Sequence, residues 1–149
     1  NRPSVYLRGE GGFGGDSGPS TSVAPPERPP DHVVESPTLA QQALLYRLAS
    51  GDRNPLHVDP GFAAFAGFDR PILHGLCTFG VVAKAVVDQV LKGQPEGVAS
   101  YRARFSGVVF PGETIQTSIW VEESGLMVEA QAKERAATVL SGGVIALRS

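Results

Sequence analysis

Apolar and polar positions along the chain separate an N-terminal part without periodicity from a longer part with clear helix and strand patterns. The first thirty residues are rich in glycine, serine and proline, and most of the twelve prolines lie at or before Pro37. This composition is typical of a linker and not of a packed domain. We therefore predict a strand remnant at Ser4–Arg8 and a linker within residues 1–30, followed by one domain at residues 31–149.

Two short helices are predicted at the start of this domain. Thr38-Leu39-Ala40-Gln41 has the spacing of a capping box, which predicts a helix through Leu48. The apolar residues on one face of this helix are Leu44, Leu45 and Leu48. Asp59-Pro60 combines an acidic N-cap with proline at the first helical position, and predicts a second helix to about Ala66.

The longest apolar segment, Leu76–Leu91, predicts a third helix that Gly93 ends. Its first half is apolar nearly all round, which is typical of a buried helix. We expect it to be the most buried element, with its N-terminus at the ligand pocket.

Strand patterns fill the rest of the chain. The predicted strands are Val98–Phe110, Thr114–Glu122, Leu126–Lys133 and Thr138–Leu147. Gly142-Gly143 interrupts the last strand and indicates a bulge. One long buried helix followed by consecutive antiparallel strands belongs to the α+β class. The economical packing is a curved antiparallel sheet wrapped around that helix, which is the hotdog fold.

Composition excludes several kinds of partner. The net charge of −2 leaves no general basic field for nucleic acid or an anionic membrane. Every apolar run is shorter than the ~20 residues of a membrane helix. We therefore expect neither nucleic acid nor membrane as a partner, and a cytoplasmic location. Since the only methionine is Met127, we expect a chain beginning at Asn1 to be processed or part of a longer protein.

The single cysteine, Cys77, cannot form a disulfide within these 149 residues or a paired-cysteine zinc site. Its apolar surroundings indicate a buried packing thiol. Gly9, Gly11 and Gly14 satisfy the spacing of a dinucleotide-binding loop. However, prolines and no helix follow them, and that loop requires a helix N-terminus facing the pyrophosphate. We predict no dinucleotide cofactor.

The segment between the two short helices carries candidate chemistry. Pro55 disfavours a helical Asn54, and Gly51 permits an unusual backbone angle, so Asp52, Asn54 and His57 lie on an irregular turn. A carboxylate and an imidazole that share a water form an acid/base pair. Alternatively, the aspartate and asparagine are turn formers and the histidine is a surface residue, and the spacing leaves both interpretations open.

A second candidate lies where Arg70-Pro71-Ile72-Leu73-His74-Gly75 leads into the third helix. The first N–H groups of a helix are unpaired and lie at its positive end. A glycine there allows a ligand carbonyl to approach, which suits the polarisation of a thioester. A plain helix N-terminus, in which His74 caps or packs, is the alternative.

The segment Ser50–Pro60 reads Ser-Gly-Asp-Arg-Asn-Pro-Leu-His-Val-Asp-Pro. It resembles the hydratase 2 motif of the MaoC-like family over nearly its whole length. Arg70–Gly80 is similar to the family's following helix, and Ala103–Phe105 and Phe110–Thr114 resemble its strand segments. The resemblance extends from about Leu7 to the C-terminus and includes the glycine-rich stretch, which in two-hotdog members joins the first hotdog to the second.

This resemblance implies reversible hydration of trans-2-enoyl-CoA to the (3R)-3-hydroxyacyl-CoA in fatty acid metabolism, with neither a metal nor an organic cofactor. It implies that Asp52 and His57 hold the water as the acid/base pair and that Asn54 orients them. The Gly75 N–H would bind the thioester oxygen. Contacts to the acyl-CoA would come from Arg53, Pro55, Leu56 and Phe105.

Three other functions remain open at this point. One is a dehydratase that uses the same residues in reverse on a carrier-bound substrate of fatty-acid or polyketide synthesis. The others are a non-catalytic acyl-CoA-binding subunit and, with less support, a hotdog thioesterase. Because two-hotdog members complete their tunnel with a first hotdog, we expect this domain to pair with a second one. That partner would be a missing first half or a second copy of the chain in a homodimer.

Overall fold

The computed structural model describes residues 23–148 together with Gly11, Gly12 and Gly14. The strand remnant predicted at Ser4–Arg8, and Gly9 of the glycine motif, lie outside the described residues. The described helices are α1 (Gln42–Ser50), α2 (Pro60–Phe65) and α3 (Gly75–Gln89). The described strands are β1 (His32–Pro37), β2 (Val98–Phe105), β3 (Thr114–Glu122), β4 (Gly125–Ala132) and β5 (Ala137–Leu147). Short 3-10 helices occupy Pro55–His57, Pro95–Gly97 and Lys133–Arg135.

The five strands form one antiparallel sheet in the order β1-β3-β4-β5-β2. Helix α3 contributes the fully buried Val82 and Val86 to a core shared with β3, β4 and β5. Alternation along β4 explains this core, since every second side chain from Leu126 to Ala132 is buried. The molecule therefore has the predicted α+β class and hotdog architecture.

The bulge predicted at Gly142-Gly143 is confirmed. Arg102 pairs with Val144 and Arg104 with Ser141, so β5 contains one more residue than β2 between these two pairs. A side chain could not replace Gly143, because an added Cβ would lie 2.5 Å from the carbonyl oxygen of Val128.

The prediction that α3 would be the most buried element is wrong. No residue of β4 is exposed, whereas α3 exposes Leu76 and Lys84. The sheet's central strand is covered along its whole length, but one face of the helix has no described neighbour. The first strand of the predicted series is also shorter than expected, since β2 ends at Phe105 and not at Phe110.

The capping box predicted at Thr38 is wrong as well. The helix begins at Gln42, and its N-cap Gln41 makes no side-chain capping bond. Thr38 is buried and its hydroxyl donates to the Glu113 carbonyl at 2.7 Å, while accepting from the Gly112 N–H at 2.9 Å. This threonine ties the start of the domain to the turn before β3.

Two further local predictions have mixed outcomes. Asp59 caps α2 as expected, and its Oδ1 accepts from the N–H groups of Gly61 and Phe62 at 2.8 and 3.1 Å. By contrast, the leucines of α1 do not enter the core, and Leu48 is 82% exposed. Ala43 is the buried residue of that helix.

Strand β1 and the residues before it carry structure that the pattern did not indicate. Arg28 pairs with Asp31 and Glu122, at 2.9 and 3.0 Å. The indole N–H of Trp120 donates to the Arg28 carbonyl at 3.0 Å. The end of the predicted linker is thus held against β3, and the division at residue 30 stays a prediction.

Candidate active site

The loop after α1 is shaped by its own side chains. Gly51 ends the helix in the left-handed conformation, with φ of 74°. One Asp52 carboxylate oxygen accepts from the Asn54 N–H at 3.1 Å, and Asn54 Oδ1 accepts from the Leu56 N–H at 3.0 Å. These two Asx turns are followed by the 3-10 helix, with Pro55 at its first position. Together they place His57 in the interior.

His57 is held in one tautomer by the backbone. Its side chain is buried, and Nδ1 lies 2.8 Å from the carbonyl oxygen of Ile72. Since a carbonyl can only accept, Nδ1 must carry the proton. Nε2 is then left with a free lone pair that can accept a proton.

His74 lies directly against His57, and the sequence analysis considered it only as a capping or packing residue and not as a site residue. The two rings stack with centroids 3.6 Å apart and an interplanar angle of 24°. Burial, reinforced by the neighbouring His57, lowers the pKa of His74 below its ordinary value, so its ring is neutral at neutral pH. The sequence feature that could have indicated His74 is its position directly before Gly75, in the segment that resembles the family's helix.

Asp52 completes a group of three side chains. One carboxylate oxygen of exposed Asp52 and one ring nitrogen from each of His57 and His74 all lie within 4.8 Å of one another. A metal ion held by both imidazoles would have to lie in both ring planes, about 2.1 Å from each nitrogen. Rings stacked 3.6 Å apart at 24° share no such point. The group suits a proton-transferring site better than a metal centre.

The start of α3 forms the other wall of the site. The helical ladder begins with the N–H groups of Cys77 and Thr78 donating to the His74 carbonyl, at 3.0 and 3.2 Å. The preceding N–H groups, beginning with that of Gly75, have no partner within the helix. Phe105 covers this glycine so closely that an added Cβ would lie 3.3 Å from the phenylalanine Cε1.

A cavity of about 160 Å³ joins these elements. Of the predicted site residues, it is lined by His57, Gly75 and Phe105. The lining residues to which the sequence analysis gave no site role are Ile72, Leu73, Thr78, Gly107, Val108, Val109 and Val139. They come from three separate parts of the chain, and most are apolar packing residues without a motif.

The remaining predicted residues lie around the loop. Arg53 and Pro55 are exposed, and Leu56 is half-buried with its carbonyl accepting from the Ile72 N–H at 3.4 Å. Asn54 acts through its turn, since its side-chain oxygen is used by the loop backbone. Cys77 is buried on α3, where burial raises the pKa of its thiol, as the packing interpretation requires.

None of the described helices combines the length and the apolar composition needed to cross a bilayer. The fold and the arrangement of loop, helix N-terminus and cavity define a hotdog domain with a candidate acid/base site. A profile of the MaoC-like domain matches residues 21–142, and the chain belongs to this family.

Several known proteins are similar to this chain. Enoyl-CoA hydratase ChsH3 of Mycobacterium tuberculosis is 56% identical over 141 residues, covering 95% of this chain and 49% of the relative. The 3-hydroxyacyl-thioester dehydratase Y of the same organism is 52% identical over 128 residues, or 84% of this chain and 43% of the relative. The solved structure of full-length peroxisomal multifunctional enzyme type 2 from Drosophila melanogaster matches with a TM-score of 0.84. It is 40% identical and covers 90% of this chain and 25% of that one. This chain thus spans about half the length of the curated relatives, or less.

Proposed function

We propose that this domain catalyses the reversible syn addition of water to a trans-2-enoyl-CoA, giving the (3R)-3-hydroxyacyl-CoA. The observation that carries the proposal is the fixed tautomer of His57, a ring nitrogen of which lies within 4.8 Å of an Asp52 carboxylate oxygen. Similarity to an enoyl-CoA hydratase over 95% of the chain supports the same reaction. We assign the domain to fatty acid metabolism on this basis.

In the proposed reaction, Asp52 and His57 hold the water between them. His57 Nε2 takes one proton from the water as the water oxygen bonds to C3 of the enoyl thioester, while the Asp52 carboxylate accepts a hydrogen bond from the remaining O–H. Nε2 then delivers the proton it took to C2, so that both parts of water add from one face of the double bond and each group returns to its starting state. Asn54 supports this pair by fixing the turn that carries both residues.

The electrons of the double bond pass to the thioester oxygen during water addition. The first N–H of α3, on Gly75, offers a hydrogen bond to that oxygen at the positive end of the helix. The absence of a side chain on Gly75 lets the thioester reach it below Phe105. Phe105 would contact the acyl group near the reacting carbons, and Arg53, Pro55 and Leu56 would contact the thioester from the loop. No metal or organic cofactor enters these steps.

The cavity of about 160 Å³ accommodates the reacting end of a thioester but not an acyl-CoA. We infer that a second hotdog domain completes the binding tunnel, either the first half of a longer chain or another copy of this one. Strand β2 pairs with β5 on one side only among the described residues, which leaves an open sheet edge. Beside it, Leu76 and Phe105 are 58% and 51% exposed, an apolar surface that a partner would cover.

A dehydratase acting on a carrier-bound substrate is the second candidate. It is favoured by the similarity to the 3-hydroxyacyl-thioester dehydratase, and it needs the same residues in the reverse direction. A cytoplasmic location also stays a proposal. The Drosophila relative is peroxisomal by name, which makes the peroxisome the competing compartment.

Hydration of crotonyl-CoA, followed by chiral analysis of the product, tests the proposed function. We expect loss of the conjugated thioester absorbance and formation of the (3R) alcohol. The same assay with a carrier-protein thioester separates the two candidates, since a dehydratase of synthesis would prefer the carrier. Formation of the (3S) alcohol, or no hydration by the domain together with its partner hotdog, would contradict the proposal.

A further inference from the structure

His74 lies between the proposed catalytic histidine and the first helix. It is the last residue before α3 and is 2% exposed. Among the described residues neither of its ring nitrogens makes a hydrogen bond of good geometry, and neither exposes surface to water. The backbone of Asp52 makes a weak contact with the ring, which partly opposes the effect of burial on its pKa. A buried imidazole with so little hydrogen bonding costs free energy, so its presence needs a reason other than stability.

The faces of the His74 ring supply that reason. One face stacks on His57 at 3.6 Å, and Tyr46 of α1 packs against the ring with centroids 4.7 Å apart at 46°. The His74 ring thus contacts both α1 and the loop. We propose that His74 is a positioning residue for the hydration reaction, whose flat ring holds the imidazole plane of His57 so that Nε2 faces the substrate. This inference rests on the proposed function.

One hydrogen bond cannot define the orientation of His57 by itself. The bond from Nδ1 to the Ile72 carbonyl fixes one ring atom, but the ring can still swing about that contact. A face-to-face contact over the whole ring removes this freedom. Because proton transfer depends on both distance and direction, a displacement of about 1 Å lowers the rate by ~10²-fold.

Neutrality of His74 is compatible with this role. When His57 accepts a proton, a neutral ring against its face tolerates the positive charge, whereas a second imidazolium would repel it. The titratable and charged groups around the two rings are Asp52 on the loop, Tyr46 and Arg47 on α1, and Cys77 on α3. Burial favours the neutral ring, as the lowered pKa of His74 reflects.

Two substitutions separate the flat ring from the imidazole chemistry. His74→Phe keeps an aromatic face and cannot titrate or donate, whereas His74→Ala removes the face. Val82→Ala, at a fully buried position farther along α3, is the control for a packing defect in this helix. Each variant is measured for crotonyl-CoA hydration, for the pH dependence of kcat/KM, and for thermal unfolding.

We expect His74→Phe to keep kcat within about fivefold of the parent, with the acid limb of the pH profile unmoved. His74→Ala should lose ~10²-fold in kcat with KM changed less than threefold. Val82→Ala should lower the unfolding temperature without moving the profile. The proposal would be overturned if His74→Phe and His74→Ala lowered kcat equally, or if His74→Ala kept the kcat of the parent.

Proton NMR of the His57 ring gives a readout that does not need activity. The chain has three histidines, so the downfield Nδ1–H signal can be assigned by substitution. We expect this proton to be protected from exchange in the parent and in His74→Phe, and to be lost to exchange in His74→Ala. If the parent shows this pattern but hydrates no enoyl thioester, the positioning role stands and the proposed function fails. If the signal is the same in all variants, the positioning role fails.

Discussion

Gly75 and Phe105 approach so closely that a β-carbon on the glycine would lie 3.3 Å from the phenylalanine Cε1. This contact joins the start of α3 to the end of β2 at the cavity, where the thioester oxygen would bind. We expect Gly75→Ala to push the phenyl ring and lower kcat/KM by about ten- to a hundredfold. Steady-state kinetics on crotonyl-CoA measure the loss. The double variant Gly75→Ala/Phe105→Leu should recover part of it, and additive losses would argue against crowding as the cause.

Removing the acid/base pair should abolish most of the turnover and leave the fold intact. We expect Asp52→Asn or His57→Ala to lower kcat by ~10²–10⁴-fold. Asparagine at position 52 can still accept the Asn54 N–H, so the turn survives while the negative charge is lost. Asp59→Asn is the matched control, because Asp59 is an N-cap on the same loop outside the cavity. A correctly folded Asp52→Asn enzyme with most of its activity would contradict the proposed role.

Thr38 should stabilise the domain through the turn before β3 and not through a helix cap. Thr38→Val removes a buried hydrogen bond to the Glu113 carbonyl and a partly buried one from the Gly112 N–H. The expected loss is about 1–3 kcal/mol in the free energy of unfolding by urea. Gln41→Ala should change that free energy by less than about 0.5 kcal/mol, since Gln41 makes no capping bond. A larger loss for Gln41→Ala than for Thr38→Val would instead support the capping box.

Glu113 should make part of the stability dependent on pH. It is buried and pairs with Arg135 through Nε at 2.5 Å and Nη2 at 3.0 Å, while accepting from the Phe110 N–H at 2.8 Å. Burial alone would raise the pKa of Glu113, but these donors hold it below its usual value. Its contribution is therefore fully present above the ordinary glutamate value of 4.5 and is lost as pH falls through the lower value of the folded state.

Glu113→Gln tests this dependence. At neutral pH the variant should be less stable than the parent by about 1–3 kcal/mol, since one partner of the pair is partly exposed. The difference should shrink as the pH falls below the ordinary glutamate value. Thermal unfolding of the parent, Glu113→Gln and the exposed-site control Glu96→Gln across this range measures it. A difference that does not change with pH would refute the ionic contribution.

The open edge of β2 and the apolar surface beside it should pair with a second hotdog domain. For the isolated chain we expect light scattering to report about twice the chain mass of 15.6 kDa, or association with the first hotdog when that is supplied. Leu76→Glu should weaken the pairing, while Leu48→Glu, at an 82% exposed position on α1, should not. A stable monomer with full activity on short and long enoyl-CoA substrates would disprove the requirement for a partner.

Periodicity and local turn chemistry were sufficient for much of this fold. Alternation predicted β3 with its bounds and β4 to within one residue at each end, and the paired glycines predicted the bulge in β5. Asp59-Pro60 predicted the start of α2, because an N-cap and a first-turn proline act within a few residues. The motif at Ser50–Pro60 likewise gave Asp52, Asn54 and His57 as candidate site residues before any geometry was known. These features depend on neighbours in the chain, which the sequence contains.

Contacts between distant segments could be decided only by the tertiary structure. Thr38 has a good capping-box sequence, but a carbonyl 75 positions away offers its hydroxyl a buried bond that a helix cap cannot match. The stacking of His57 on His74 depends on how the loop folds back onto α3, and no spacing rule encodes it. Long-range partners compete with local ones, and the result depends on which groups the sheet and helix exclude from water. For this reason the candidate residues of the site could be predicted from the loop, whereas the orientation of His57 required the fold.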